Sequence, residues 1–368
     1  MQEKKKIMFA FGTRPEAIKM CPLVKELVNR GKFEVVVAVT GQHREMLFEA
    51  LSLFDVKPKY DLGIMREGQS LFDVTSAVIL GLRGILERER PDLVLVHGDT
   101  TTAFASALSS FYLKIPVCHV EAGLRTGDIY SPFPEEFNRR AVGVLANYHF
   151  APTKRARENL ICEGVPEAKI FVTGNTVVDA FKYTLKDGYF HEILKKTSGQ
   201  RIFLTCHRRE SLGDRMEEML WGVKDALGRF TDASVIFPVH PNKKVEEIAK
   251  RVFMGVPRVT LCEPFSVFDC HNIMNRCSFI LTDSGGLQEE GLAIHKPILV
   301  MRDVTERGEG IESGGAMLVG TTRESVFLGI SKLLLDRSLY LKMTNAKNPY
   351  GDGNASEKIA DALEEILK

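Results

Sequence analysis

Near-continuous apolar runs of strand length alternate along this chain with stretches whose apolar positions recur at helical spacing. In the first half the runs read KKIMFAFG, FEVVVAVTG, DLVLVHGD, PVCHVEAG, YHFAPT and KIFVTGN. In the second they read RIFLTCHR, SVIFPVH, RVTLCEP, CSFILTDSGG, KPILVMR and AMLVG. Runs without polar alternation belong to strands covered on both faces, which is the situation of a parallel sheet. The intervening stretches, such as 17–30 and 216–230, are amphipathic, so the rhythm is βα throughout. The fold class expected is α/β: two Rossmann-like, doubly wound parallel-sheet domains facing a central cleft. The polar segment KYTLKDGYFHEILKKTSGQ, 182–200, has no strand and is read as the linker. An N-terminal domain then covers 1–181 and a C-terminal domain 201–353, with a last amphipathic helix over 354–368.

Composition narrows the function classes. A chain of 368 residues is long enough for two domains of ordinary size, and 44% hydrophobic with 26% charged residues is the balance of a globular protein. The net charge of +1 lacks the basic excess that a nucleic-acid or membrane-surface partner requires. The lysines at 4–6 precede an apolar run too short for a signal peptide or a membrane span. Seven cysteines without a C-x-x-C pair are expected in a reducing cytoplasm and provide no structural zinc site.

In open α/β sheets ligands collect beyond the carboxyl ends of the strands, and polar residues cluster there. The turn GTRPE after the first strand has a Gly for close approach, Pro15 for a first helical turn, and the donor fork of Arg14. It reads either as an anion site on a helix N-terminus or as an ordinary strand-to-helix turn. TDSGGLQEE, 282–290, follows a strongly apolar strand and opens a helix. Ser284, Gly285 and Gly286 can present N–H groups to a phosphate there, with Glu290 one turn on for ribose hydroxyls. Neither a P-loop nor G-x-G-x-x-G is present, which argues against ATP chemistry and a nicotinamide cofactor.

Three carboxylates stand at strand ends of the first half. Asp99 follows VHG, Glu121 follows CHV, and Glu135, with Glu136, follows Pro134 at a helix start. Each alone reads as a cap or dipole partner; together they are an acid–base set whose members raise one another's pKa. In the second half TCHRRE supplies His207 and its arginines, PVHPN supplies His240, and MRDVTER supplies Arg307. Cations of this kind suit a diphosphate, and acids facing its other end suit a sugar, so a nucleotide-sugar fits best.

FGTRPEAIKM, GQHREML, VHGDTTT, HVEAGLRTGD, PFPEEFNRR, TGNTVVDA, HRRE, LTDSGGLQEE and MRDVTER, in that order, closely resemble the non-hydrolysing UDP-N-acetylglucosamine 2-epimerases. The resemblance spans nearly the whole chain. It implies a GT-B-like fold whose last helix returns to the first domain, and a cytoplasmic homodimer needing no cofactor or metal. The activity implied is reversible epimerisation of UDP-GlcNAc to UDP-ManNAc at C2, by elimination of UDP to 2-acetamidoglucal and re-addition. Asp99, Glu121, Glu135 and His207 would be catalytic, and Arg14, Lys19, Ser284, Gly285, Gly286, Glu290 and Arg307 would bind UDP. An allosteric substrate site would use Gln42, His43, Gln69, Glu136, Arg208 and His240, although Glu45 stands where regulated members have a glutamine. Phe265 and Cys270 depart from the family near the uracil, and TERGEG replaces TERPE after the last strand-end arginine. Competing readings are a hydrolysing epimerase releasing ManNAc and UDP, an epimerase of a related UDP-N-acetyl sugar, a GT-B glycosyltransferase, and a silent sugar-nucleotide sensor.

Overall fold

Residues 4–41, 44–66, 68–208 and 211–368 are described by the structure, a computed structural model. The first seven strands are β1 (Lys6–Phe11), β2 (Glu34–Val39), β3 (Tyr60–Asp61), β4 (Leu93–His97), β5 (Val117–Val120), β6 (Tyr148–Ala151) and β7 (Ile170–Val172). They form one sheet in the order β3-β2-β1-β4-β5-β6-β7, with parallel pairing between neighbours. Six further strands, β8 (Gln200–Thr205), β9 (Ala233–Pro238), β10 (Val259–Cys262), β11 (Phe279–Thr282), β12 (Ile298–Val300) and β13 (Ala316–Leu318), form a second. Its order is β10-β9-β8-β11-β12-β13, again parallel.

The chain divides into two units, Met1–Tyr183 with Tyr350–Lys368, and Thr184–Pro349. Each has its own core. Met8, Val36, Val94 and Val96 meet helix side chains in the first, and Leu204, Phe237, Leu281 and Leu299 do so in the second. Full burial of such a side chain is worth roughly 1.5–3 kcal/mol, so the sheets are fixed by their apolar runs. Strand order reverses between β1 and β4 in one unit and between β8 and β11 in the other. Ligand crevices open at such reversals. The turns leaving these four strands are GTR, GDT, CHR and DSG.

The segment read as a linker, 182–200, is divided differently. From Thr184 onward it belongs to the second unit and includes helix Glu192–Lys196. Tyr189 donates its hydroxyl to Asp269 at 2.6 Å, and Lys186 N–H donates to Asn272 Oδ1 at 2.9 Å. These polar contacts anchor the segment without any apolar run. The last helix, Ala355–Ile366, belongs to the first unit. Asp179 accepts from the N–H groups of Ser356 and Ala355 at 2.8 and 3.2 Å, and Arg30 reaches Asp361 at 2.6 Å.

β3 has no counterpart among the apolar runs. Two residues long, it pairs Tyr60 and Asp61 with Ala38 and Val39. A single carboxylate, Glu89 at the end of helix Leu71–Glu89, holds it: Lys59 Nζ lies 2.7 Å away, Lys6 Nζ from β1 lies 2.9 Å away, and Tyr60 donates its hydroxyl. These three donors keep the Glu89 carboxyl low, at about 2. A depressed carboxyl pKa adds stability above the unfolded value of 4.5, lost as pH falls toward 2. Glu89→Gln should therefore destabilise the protein by about 1–3 kcal/mol at pH 7. The difference from the parent protein should shrink between pH 4.5 and 2, as read by urea unfolding at stepped pH.

Candidate functional site

In the first unit β1 ends at Gly12, where the chain passes so close to Thr40 that a Cβ would lie 1.9 Å from its hydroxyl. Only glycine fits there. The next helix, Arg14–Arg30, is closed by a capping box: Thr13 caps the Glu16 N–H, and the Glu16 side chain returns to Thr13. Glu16 Oε2 accepts from the N–H groups of Gly12 and Thr13 at 3.0 and 2.8 Å, and Oε1 accepts from Thr100 Oγ1 at 2.8 Å. The leading N–H groups of the GTRPE turn thus serve a buried glutamate, whose pKa burial raises. Arg14 begins the helix half-buried.

Lys19, one turn further, is buried and ion-paired with Glu121. Glu121 leaves β5 with φ +62°, a left-handed conformation uncommon for a glutamate. Strain of this kind concentrates at functional sites. Its carboxylate also accepts from Asn175 Nδ2 at 2.6 Å and lies 3.8 Å from His97 Nε2. Burial, outweighing the nearby Glu121 charge, holds His97 down at about 4.

Asp99 follows β4, the neighbour of β5. Its carboxylate pairs with Arg139, and its carbonyl accepts from Asn138 Nδ2 at 2.9 Å. Both partners lie on helix Glu135–Leu145, whose first residue is Glu135. Residues three and four apart share a helix face, so Glu135 occupies the face that Asp99 holds. Asp99 and Glu121 therefore stand at the carboxyl ends of adjacent strands, and Glu135 opens the helix that holds Asp99. Glu136 is fully buried: it accepts from Arg140 Nε at 3.0 Å and from Thr126 N–H at 3.1 Å, and lies 3.5 Å from Nη1 of Arg139, the partner of Asp99.

In the second unit Asp283, after β11, is fully buried, and its Oδ2 accepts from the N–H groups of His207 and Arg208 at 2.8 and 2.9 Å. It fixes the turn leaving β8. The His207 ring stacks on His240, with centroids 5.3 Å apart and planes 3° from parallel. Burial and the His207 neighbour lower the pKa of His240. Helix Gly285–Ala293 starts after Ser284, which makes no side-chain cap, so its N-terminus is not closed in the manner of Arg14–Arg30.

Three arginines converge beside that terminus on one acid, Glu306. Arg302 Nη1 donates to its Oε2 at 2.6 Å, while Arg307 Nη1 and Arg208 Nη2 donate to its Oε1 at 3.1 and 3.2 Å. Arg307 Nε also donates to Glu289 at 2.9 Å. Burial alone would raise the Glu306 carboxyl, but Arg307, Arg302 and Arg208 outweigh it and hold it at about 2. Glu290 lies 3.5 Å from His271 Nε2 and 3.9 Å from where a Cβ on Gly286 would stand.

Of the residues assigned to an allosteric site, Gln42 and His43 lie outside the described residues. Gln69 braces its own loop, donating to Ile64 O at 2.6 Å and accepting from Arg66 N–H at 2.9 Å. Arg208 and His240 belong to the arginine and histidine groupings just described. Sequence reading missed Glu16, His97, Asp283, Arg302 and Glu306 as parts of the site. The T-x-x-E spacing of Thr13 and Glu16 was a legible capping signal. The others look like ordinary strand or loop residues until the fold brings their partners in.

The family model described as UDP-N-acetylglucosamine 2-epimerase matches residues 25–364. A UDP-N-acetylglucosamine 2-epimerase of Bacillus subtilis is 50% identical over 362 residues, covering 98% of this chain and 95% of the relative. The Staphylococcus aureus MnaA structure with UDP superposes with a TM-score of 0.92 at 49% identity, covering 99% of this chain and 97% of that one. The Neisseria meningitidis UDP-GlcNAc 2-epimerase bound to UDP-GlcNAc gives a TM-score of 0.91 at 42% identity, covering 98% and 100%. Two all-parallel α/β units of this kind make the fold GT-B-like. No described helix is long and apolar enough to cross a membrane.

The Glu16 cap gives a direct stability test. Glu16→Ala leaves two backbone N–H groups and the hydroxyls of Thr13 and Thr100 without their acceptor, and should cost about 2 kcal/mol or more. Chemical denaturation of the purified protein reads this, and Glu16→Gln, which keeps one acceptor oxygen, should lose less.

Proposed function

The chain belongs to the UDP-N-acetylglucosamine 2-epimerase family, and from that premise we propose that it interconverts UDP-GlcNAc and UDP-ManNAc by eliminating UDP and adding it back. The proton leaves C2, its electron pair forms the C1–C2 π bond, and the C1–O bond breaks with its pair leaving on UDP. The product held between the two halves of the reaction is 2-acetamidoglucal. Re-addition of UDP with proton delivery to the opposite face of C2 inverts that centre.

The observation carrying this reading is the placement of Asp99 and Glu121 at the ends of adjacent strands, with Glu135 opening the helix that holds Asp99. Such a set suits a carbon that must lose and gain a proton on opposite faces while positive charge develops at C1. The carboxylate of Asp99 faces Arg139 and that of Glu121 faces Lys19, so each is oriented by its own cation. Lys19, matched by motif to UDP, serves in this reading to hold Glu121. The unclosed N-terminus of helix Gly285–Ala293, with Ser284, Gly286, Arg307 and the His207 turn, holds the diphosphate, and Glu290 meets the ribose. Domain roles follow: acids in the first unit, UDP in the second.

The homodimer expected of the family finds support in apolar side chains left exposed on three helices of the first unit: Phe72, Leu80, Tyr112 and Val144. Seven free thiols suit a cytoplasmic location.

Incubation with UDP-GlcNAc in deuterated water, followed by NMR, tests the reaction. Deuterium at C2 and a UDP-ManNAc signal are expected. Free ManNAc with stoichiometric UDP would identify the hydrolysing reaction instead, and an unexchanged C2 hydrogen would overturn the proposal. Glu121→Gln should lower kcat by about 10²–10⁴-fold. Calorimetric affinity for UDP should stay within a few-fold of the parent protein, because the lost group serves the sugar.

A further inference from the structure

Arg307, assigned to the diphosphate, already shares an anion of the protein's own with Arg302 and Arg208. Glu306 receives Arg302, Arg307 and Arg208 on its two oxygens, and its side chain is 13% exposed. It also touches the helix end: a Cβ on Gly285 would lie 2.7 Å from Glu306 Oε1 and 3.5 Å from the Arg307 guanidinium carbon. The carboxylate thus stands at the N-terminus of helix Gly285–Ala293, on the donors that a phosphate would use. We infer that Glu306 is an internal competitor for the diphosphate: it keeps the three arginines assembled, limits the affinity they give, and is displaced or shared when a diphosphate binds.

The inference rests on the UDP-sugar reading and extends it. Three guanidinium groups brought together without an acid repel one another, and one carboxylate offsets part of that cost. A carboxylate carries one charge over two oxygens, whereas a diphosphate carries at least two over more, so the diphosphate wins the exchange. A singly charged anion does not, which makes Glu306 a selector for polyanionic ligands. The same competition speeds departure, since the acid reclaims its arginines as the phosphate leaves. An enzyme that must break and remake a bond to UDP gains from such a moderated grip. Glu289 faces the same grouping through Arg307 Nε, at 2.9 Å.

Glu306→Gln and Glu306→Asp decide it, with calorimetry using UDP, inorganic pyrophosphate and uridine. The glutamine variant should bind UDP and pyrophosphate roughly 5–50-fold tighter, the range of an ordinary coupling between sites. Uridine, which carries no phosphate, should bind as before, and the aspartate variant should keep parent affinity within about threefold. Without an anion the glutamine variant should melt lower than the parent, and pyrophosphate should restore it; that readout remains informative if the variant is only marginally folded. Unchanged or weaker UDP binding by a folded glutamine variant, with the parent binding normally, would overturn the role of Glu306 alone. A parent protein that binds no UDP would take down the UDP-sugar reading as well.

Discussion

A charge removed from water must find an opposite charge or a set of donors, and that requirement shapes both halves of this molecule. Three acids near strand ends of the first unit are engaged by elements other than their own. Glu121 reaches Lys19, Asp99 reaches Arg139, and Glu16 collects the donors of the β1 turn and of Thr100. In the second unit Glu306 does the same for three arginines, and Asp283 for two backbone N–H groups. These pairings span strand ends that the apolar core has already aligned. The packing of β1 against β4, and of β8 against β11, thus sets the positions of the polar groups.

The same requirement separates two helix termini that look alike. Both follow the first or central strand of a parallel sheet, and both carry glycine. At Thr13 the terminus is closed by a capping box and a glutamate one turn in. At Ser284 no side chain caps it, and Glu306, held by arginines, stands close to Gly285. The first terminus has its leading N–H groups satisfied by a glutamate of its own first turn, and the second does not.

The alternation of apolar runs and amphipathic stretches disclosed twelve of the strands and the parallel, two-unit plan, because buried parallel strands need no polar face. It could not disclose β3, which is two residues long and has the Tyr60 hydroxyl and the neighbouring Lys59 on Glu89. Nor could it assign the segment after Tyr183, which is bound by hydrogen bonds to Asp269 and Asn272 far along the chain. The strand-end carboxylates were legible as types in place. Their partners were not, since Arg139 lies 40 positions from Asp99 and Lys19 lies 102 from Glu121. Glu306 was hidden in the same way: its meaning comes from Arg208, 98 positions earlier.

Three buried histidines lie on the strands that carry Asp99 and Glu121 and on the strand beside them. His97, His119 and His149 sit on the neighbouring strands β4, β5 and β6, all buried. His119 Nε2 meets the Gly98 carbonyl at 2.7 Å, and His119 and His149 are direct partners in the sheet. Burial, the largest cause at each, pushes them down to about 4, 3 and 4. They are therefore neutral near pH 7, and a group that far below the working pH is a poor proton acceptor and holds no proton to donate. Their place is in the wall, where a neutral imidazole fills space and offers a hydrogen bond to a strand end. His97, 3.8 Å from Glu121, borders the carboxylate without taking its proton. A protonated histidine there would pair with Glu121 and compete with Lys19. The burial that neutralises His97 thereby leaves Glu121 to its lysine and its asparagine.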